Sequence, residues 1–111
     1  MRELNEGIYS YYVYILTNKY RSTYYIGVTS NLPKRLFEHT SQIHKKSFTA
    51  RYNLVYLVYY ENFSWIHEAI HREKEIKKWN RSKKLNLIKT KNPNFAFLNS
   101  LFCSEYENKT P

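Results

Sequence analysis

The chain has 111 residues, the length of one ordinary domain, and its 18 Lys and Arg against 9 Asp and Glu give a net charge of +9. This length argues against a second domain, and no apolar run approaches the ~20 residues of a membrane span. The chain has a single cysteine, Cys103, which excludes an intrachain disulfide. Positive charge combined with twelve tyrosines suits a polyanionic partner, because cations neutralise phosphates and aromatic rings stack on bases.

Two strands and a helix are predicted in the first half of the chain. Residues Tyr11 to Thr17 and Tyr24 to Thr29 are rich in β-branched and aromatic side chains, so they should form a hairpin across a polar connection. Asn31 is a suitable N-cap for a helix that reaches about Gln42. The stretch from His44 to Asn53 is basic and is predicted to be irregular.

A third strand and two helices are predicted in the second half. Leu54 to Tyr60 is almost continuously apolar or aromatic and indicates a strand. Ser64 is expected to cap a long helix that reaches about Trp79, and Ser82 is expected to cap a shorter one over Lys83 to Lys89. Asn92-Pro93 should end the second of these helices.

The predicted order β-β-α-β-α-α indicates an α+β fold, in which a small three-stranded antiparallel sheet is flanked by helices. We expect residues 1–10 to be an N-terminal extension, residues 11–99 the domain, and residues 100–111 a polar C-terminal tail. The start of the chain does not resemble a secretory signal, and a lone cysteine fits a reducing compartment, so a cytoplasmic location is expected.

A carboxylate lies within the apolar stripe of the long helix. At ~100° per residue, Glu73 falls between Ala69 and Ile76 on one face. Burying a carboxylate costs several kcal/mol unless a cation or hydrogen-bond donors compensate it. Two interpretations stay open, namely a structural Glu held by a buried Arg or by backbone amides, and a ligand of a hard divalent cation.

The first helix carries Arg35 and His39 on or beside its apolar stripe, four residues apart and therefore neighbours. An inward guanidinium next to an imidazole could hold a phosphoryl oxygen. The structural alternatives are an ion pair between Arg35 and Glu73, and a histidine at the edge of the core.

These motifs occur in an order that resembles the GIY-YIG endonuclease family, and specifically its single-domain bacterial branch. Tyr25-Ile26-Gly27 matches the second signature triplet, the stretch Thr29 to His39 matches the helix that follows, and Arg72-Glu73 matches the metal-binding position. Asn92-Pro93 resembles the Asn near the family's C-terminal end. The resemblance covers roughly Tyr11 to Phe97.

The first signature triplet has two candidate positions. Gly7-Ile8-Tyr9 spells it literally, but Tyr9 lies farther from Tyr25 than the family's usual spacing. Tyr12-Val13-Tyr14 has nearly that spacing and lies within the predicted strand, so we assign the first site tyrosine to Tyr14, with Tyr12 in place of the usual glycine.

The resemblance implies a metal-dependent endonuclease that hydrolyses phosphodiester bonds in DNA, with structure-selective cleavage as the working hypothesis. It implies that Glu73 holds one Mg²⁺ or Mn²⁺ ion, that Arg35 binds a phosphoryl oxygen and that Asn92 supports the site. Tyr14 or Tyr25 would accept the proton of the attacking water, and His39 would orient a tyrosine or relay protons. Which tyrosine is the base stays open.

Two other functions compete with this hypothesis. The expected partner is nucleic acid, DNA rather than RNA, and a protein partner would supply specificity. The first competing function is a non-catalytic binding module, in which basic segments such as Lys45-Lys46 bind nucleic acid without any reaction. His67-Glu68-Ala69-Ile70-His71 also matches the HExxH motif of zinc proteases. Both histidines lie away from the apolar stripe, which favours a solvent-facing position over a zinc site.

Overall fold

The computed structural model describes residues 10–41 and 46–102. The predicted α+β fold is confirmed, because three antiparallel strands are covered by helices. In chain order the elements are β1 (Tyr11–Thr17), β2 (Tyr24–Thr29), α1 (Leu32–Ser41), α2 (Phe48–Arg51), β3 (Tyr56–Phe63), α3 (Ile66–Lys77), α4 (Arg81–Lys91) and a 3₁₀ turn (Asn99–Leu101).

The sheet has the strand order β2-β1-β3, so β1 is central, and the predicted hairpin is confirmed as the antiparallel β1–β2 pair. Successive residues of a strand point to opposite faces of the sheet. On one side, the α1 face, Tyr14 and Leu16 pack with Leu32 and Leu36 of α1. The central strand therefore presents Tyr14 to the same side as the helix that carries Arg35 and His39.

The opposite side, the α3 face, is the larger apolar cluster. Here Val13 and Ile15 of β1 pack with Ala69 and Ile76 of α3, and Ile88 of α4 joins the same cluster. The apolar stripe predicted for the long helix therefore faces the sheet.

An ion-pair network fastens α3 to β3 on this face. Arg72 donates to both carboxylate oxygens of Glu61 at 2.9 Å and contacts Glu75 at 3.0 Å. Burial raises the pKa of Glu61, but the hydrogen bonds from Arg72 and Tyr59 outweigh burial and hold that pKa below its usual value. The network therefore keeps Glu61 ionised within a partly buried contact.

Several predicted boundaries are wrong. The strand β3 begins at Tyr56 and ends at Phe63, so both of its ends lie later than predicted. The N-cap of α3 is therefore Trp65 rather than Ser64, and the Trp65 side chain makes no capping hydrogen bond. Asn80 rather than Ser82 caps α4, and its carboxamide oxygen accepts the amide of Lys83 at 2.8 Å. The predicted Asn31 cap of α1 is confirmed by a 3.1 Å bond from the amide of Lys34.

The segment predicted to be irregular, His44 to Asn53, contains the helical turn α2. Ser47 is its N-cap, and the Ser47 hydroxyl accepts the amide of Ala50 at 3.2 Å. Residues 42–45 lie outside the described part of the chain. A turn of four residues is too short to show helical periodicity, which is why the sequence pattern did not indicate it.

The chain returns to the sheet after α4. The side chain of Asn99 accepts the amide of Leu57 and donates to the carbonyl of Val55, both at 2.8 Å, and the amide of Leu98 donates to the carbonyl of Leu57 at 2.8 Å. Within the predicted tail, Phe102 packs its ring edge-on against Tyr60. Residues 103–111, and the triplet Gly7-Ile8-Tyr9, are outside the described residues.

Across residues 10–41 and 46–102, no helix is long and apolar enough to cross a membrane.

Candidate active site

A cavity of about 290 Å³ opens on the α1 face, between β2, α1 and α2. The strand β2 contributes one tyrosine. The helix α1 contributes a guanidinium, a carboxylate and an imidazole, and the α2 region contributes two hydroxyls. The lining residues are Tyr25, Arg35, Glu38, His39, Ser47, Phe48, Thr49 and Ala50. Three of the residues predicted from the sequence, namely Tyr25, Arg35 and His39, therefore share one cavity.

Tyr14 lies beside this cavity and is fully buried. Its hydroxyl is 3.2 Å from Nε2 of His39, and the rings of Tyr14, Tyr25 and His39 have centroids 6.0 to 6.2 Å apart. Tyr14 pairs with Gly27 across the hairpin, and a Cβ at position 27 would lie 2.6 Å from the phenol of Tyr14. Glycine is therefore required there by the close approach of this ring.

The imidazole of His39 is held from both sides. Its Nδ1 lies 3.1 Å from Oγ1 of Thr49, and that oxygen lies 3.1 Å from Oγ of Ser47. If Nδ1–H donates to Thr49, then Nε2 is the acceptor that faces the Tyr14 hydroxyl. The four side chains thus form a continuous hydrogen-bonded line from β1 to α2.

The protonation state of Tyr14 follows from its surroundings. Burial is the main cause that raises the pKa of Tyr14 well above its usual value, and the neighbouring Tyr25 adds to the increase. The guanidinium of Arg35 lowers this pKa but does not overcome burial. Tyr14 therefore remains a neutral phenol at physiological pH.

Arg35 is paired within the cavity wall. Its Nε lies 3.3 Å from Oε1 of Glu38, one helical turn away, and both side chains are partly exposed. The alternative ion pair between Arg35 and Glu73 is not formed. Because an exposed pair of this kind contributes at most about 1 kcal/mol, an incoming phosphate can displace Glu38 from Arg35.

Glu73 is buried as its position in the stripe predicted, with 9% of its surface exposed. Its carboxylate pairs with Lys77 at 2.5 Å, so the compensating cation is a flanking Lys rather than a buried Arg. The helix that carries Glu73 covers the α3 face, and Glu73 does not line the cavity. A single carboxylate still fits Mg²⁺, which keeps most of its waters when it binds a protein.

Asn92 also lies away from the cavity, at the C-terminal end of α4. Its side-chain amide donates to the carbonyls of Val58 and Ala96, both at 2.9 Å, and its oxygen accepts the amide of Ala96 at 3.0 Å. These bonds tie β3 to the segment that follows α4. The structure therefore shows a connecting position for Asn92 rather than one in the cavity.

The histidines of the HExxH motif, His67 and His71, are both exposed on α3, as the periodicity indicated. Within the described ranges, no group of three or more His, Cys, Asp or Glu side chains is arranged to hold a metal ion. A zinc site at this motif would therefore have no third ligand from this part of the chain.

Sequence reasoning missed the three other polar residues that line the cavity: Glu38, Ser47 and Thr49. Glu38 follows Arg35 by three residues, a spacing typical of helix ion pairs. Ser47 precedes a helical turn and could have been identified as an N-cap. Thr49 has no local sequence signal, because its contact with His39 depends on the tertiary packing of α2 against α1.

The comparisons with known proteins agree on one family. The model of the GIY-YIG catalytic domain matches residues 10–86. A UPF0213 protein of Syntrophus aciditrophicus is 42% identical over 78 residues, which are 70% of this chain and 88% of that protein. A UPF0213 protein of Clostridium perfringens is 45% identical over 80 residues, 72% of this chain and 84% of that protein. The solution NMR structure of a UPF0213 protein from Bacillus halodurans is 31% identical, with a TM-score of 0.51 over 82% of this chain and 93% of that one.

Proposed function

Because the chain belongs to the GIY-YIG family and has its nuclease-type fold, we propose that it is a metal-dependent endonuclease that hydrolyses phosphodiester bonds in DNA. One observation supports the proposal most. A tyrosine, an arginine and a histidine from β2 and α1 line one open cavity, with a second tyrosine hydrogen-bonded behind the histidine. This arrangement supplies a phosphate ligand and a proton-transfer group in the same place.

Arg35 is the proposed phosphate ligand. Its guanidinium can present two parallel N–H groups to a pair of phosphoryl oxygens, and its ion pair with Glu38 is partly exposed. Charge accumulates on the phosphoryl oxygens as water attacks. Arg35 would therefore stabilise the transition state more than the ground state.

Tyr25 is the proposed group that takes the proton from the attacking water. It lines the cavity, whereas Tyr14 is buried and its raised pKa keeps it protonated. A neutral phenol is a poor base, so Tyr14 is assigned a positioning role through His39. This choice between the two tyrosines was open from the sequence.

His39 connects the two tyrosines. Its ring lies 6.0 Å from both tyrosine rings, and Thr49 holds its Nδ1. With Nε2 facing the Tyr14 hydroxyl, the imidazole is fixed in one orientation and one tautomer. His39 would orient Tyr14, and the proton would pass along this line: Tyr25 gives its phenol proton to the Tyr14 hydroxyl as it takes one from the water, and Tyr14 gives its proton to Nε2 of His39.

Glu73 is the proposed ligand of one Mg²⁺ or Mn²⁺ ion, as the family resemblance implies. Because Glu73 does not line the cavity, an ion bound there would act on a phosphate that extends beyond the cavity, where it would supply positive charge for the phosphoryl oxygens and lower the pKa of a coordinated water. Glu38 is the competing ligand, because it is the carboxylate that lines the cavity. Asn92 would support the site indirectly, by holding β3 against the chain that follows α4.

The function is tested with labelled single-stranded, duplex and branched DNA in Mg²⁺, Mn²⁺ or EDTA. Metal-dependent cleavage should fall about 10²- to 10⁴-fold in Tyr25→Phe and less in Tyr14→Phe. Tyr20→Phe, which removes the hydroxyl of an exposed tyrosine outside the cavity, is the matched control. Binding without cleavage, equal in all variants, would leave a nucleic-acid-binding module and contradict the enzyme.

A further inference from the structure

Two aromatic rings stand exposed where α2 meets solvent. Phe48 is 51% exposed and Tyr52 is 48% exposed, and their centroids are 4.7 Å apart with the ring planes tilted by 46°. We call these two residues the ring pair. Exposing two large aromatic rings side by side leaves apolar surface in water, which is a common property of binding surfaces.

The ring pair adjoins the cavity described above. Phe48 is itself one of the residues that line this cavity, together with Tyr25 and Arg35. A nucleotide whose phosphate contacts Arg35 would therefore have its base, or that of its neighbour, close to the ring pair.

The turn that carries the ring pair is anchored by three hydrogen bonds, one of which also holds His39. Ser47 caps the turn, buried Thr49 contacts His39, and the carbonyl of Thr49 accepts the amide of Leu54 at 2.8 Å. Both rings are thus attached to a turn that is anchored at its start and in its middle. An anchored surface loses less entropy on binding than a mobile one.

The charge around the ring pair is complementary to a phosphate backbone. The guanidinium of Arg51 lies 5.9 Å from the centroid of the Tyr52 ring, and Lys46 is exposed just before the turn. Aromatic rings combined with cations are the usual means by which proteins bind single-stranded nucleic acid.

We propose that the ring pair is a nucleobase subsite, which stacks on an unpaired base next to the phosphate held by Arg35. In a continuous duplex both faces of each base are covered by its neighbours, so only an unpaired or displaced base can offer a face to Phe48 and Tyr52. The substrate class is therefore DNA with single-stranded nucleotides beside the scissile bond. This inference rests on the proposed function for its substrate, but its binding test does not require cleavage.

The subsite is tested in EDTA with the full chain and 2-aminopurine-containing oligonucleotides, single-stranded or in a duplex of the same sequence. Phe48→Ala and Tyr52→Ala should each weaken single-strand binding about 5- to 150-fold and reduce the quenching of 2-aminopurine fluorescence. Phe48→Tyr and Tyr52→Phe keep a ring and should bind as the unmodified protein does. Duplex binding should change little in any variant.

Tyr20→Ala is the matched control, because Tyr20 is 75% exposed and lies under Lys19, yet does not line the cavity. Unchanged single-strand affinity in both alanine variants would overturn the subsite, and so would an equal loss for single strand and duplex. If the protein fails to cleave but shows the expected binding pattern, the nuclease proposal fails while the base subsite stands.

Discussion

Gly27 and Tyr14 are matched across the β1–β2 hairpin, where the missing side chain of one leaves space for the phenol of the other. A Cβ at position 27 would lie 2.6 Å from both Cζ and Oη of Tyr14, far inside van der Waals contact. The signature triplet Tyr25-Ile26-Gly27 therefore combines a residue that lines the cavity with one that admits the buried tyrosine behind it.

Gly27→Ala should displace the Tyr14 ring and with it the contact to His39. We expect a loss of about 1 to 3 kcal/mol in the free energy of unfolding, because overpacking a rigid site costs that much. Cleavage should fall by at least about tenfold, because His39 loses a partner that orients it. Thermal unfolding and single-turnover cleavage of the same preparation measure the two effects.

The control is a double-mutant cycle with Tyr14→Ala. If the clash with the phenol is the cause, adding Gly27→Ala to Tyr14→Ala should cost less than about 0.5 kcal/mol. An undiminished cost in the double variant would mean that the backbone at position 27, and not the Tyr14 ring, limits the substitution.

Thr49→Val should lower cleavage by about ten- to a hundredfold while changing stability by only about 1 kcal/mol. Valine keeps the shape of threonine but cannot accept the Nδ1–H of His39, so the imidazole is free to change tautomer. The pH–rate profile should change shape, and Thr49→Ser should restore it because the hydroxyl is kept. A profile identical to that of the unmodified protein would contradict the positioning role.

Glu73→Gln should raise the Mg²⁺ concentration needed for half-maximal cleavage, because a neutral amide is a weaker ligand for a hard cation. Glu38→Gln is the matched substitution and should instead strengthen DNA binding in EDTA, because it releases Arg35 from its ion pair. Metal titrations of both variants distinguish the two carboxylates. If only Glu38→Gln shifts the Mg²⁺ requirement, the ion is bound inside the cavity.

Glu61→Gln should destabilise the fold at neutral pH by roughly 2 to 4 kcal/mol, because it leaves Arg72 without its main partner. The pKa of Glu61 is lowered in the folded protein, so its stabilisation is complete above the usual value of 4.5 and is lost as pH falls through the folded pKa. The stability difference between the two proteins should therefore shrink on acidification, as urea unfolding between pH 7 and pH 3 would show. A difference that stays constant with pH would contradict this assignment.

The elements that could be predicted from the sequence have strong local patterns. The strands β1 and β2 have the predicted bounds because dense β-branched and aromatic runs end at polar residues. The burial of Glu73 followed from helical periodicity alone. Its partner Lys77 lies four residues later, the spacing of a helix ion pair, and could have been identified in the same way.

The wrong predictions concern features that tertiary structure decides. Ser64 and Ser82 are both good capping residues, but β3 extends to Phe63 and the backbone turns into α4 at Asn80. A cap depends on where the chain enters the helix, and the side-chain type only favours a position. The hydrogen-bonded line from Tyr14 through His39 to Thr49 joins β1, α1 and α2, which are separate in the sequence. The family motif indicated the contact between Tyr14 and His39, but no sequence signal indicated the contact between His39 and Thr49.

The bonds made by Asn99 have a consequence for contacts with other molecules. The strand β3 forms one edge of the sheet, and an exposed edge offers unpaired backbone groups to which another chain can add a strand. The side chain of Asn99 and the amide of Leu98 occupy both backbone groups of Leu57 and the carbonyl of Val55. This part of the edge is therefore blocked against edge-to-edge aggregation by residues that follow the family match at 10–86.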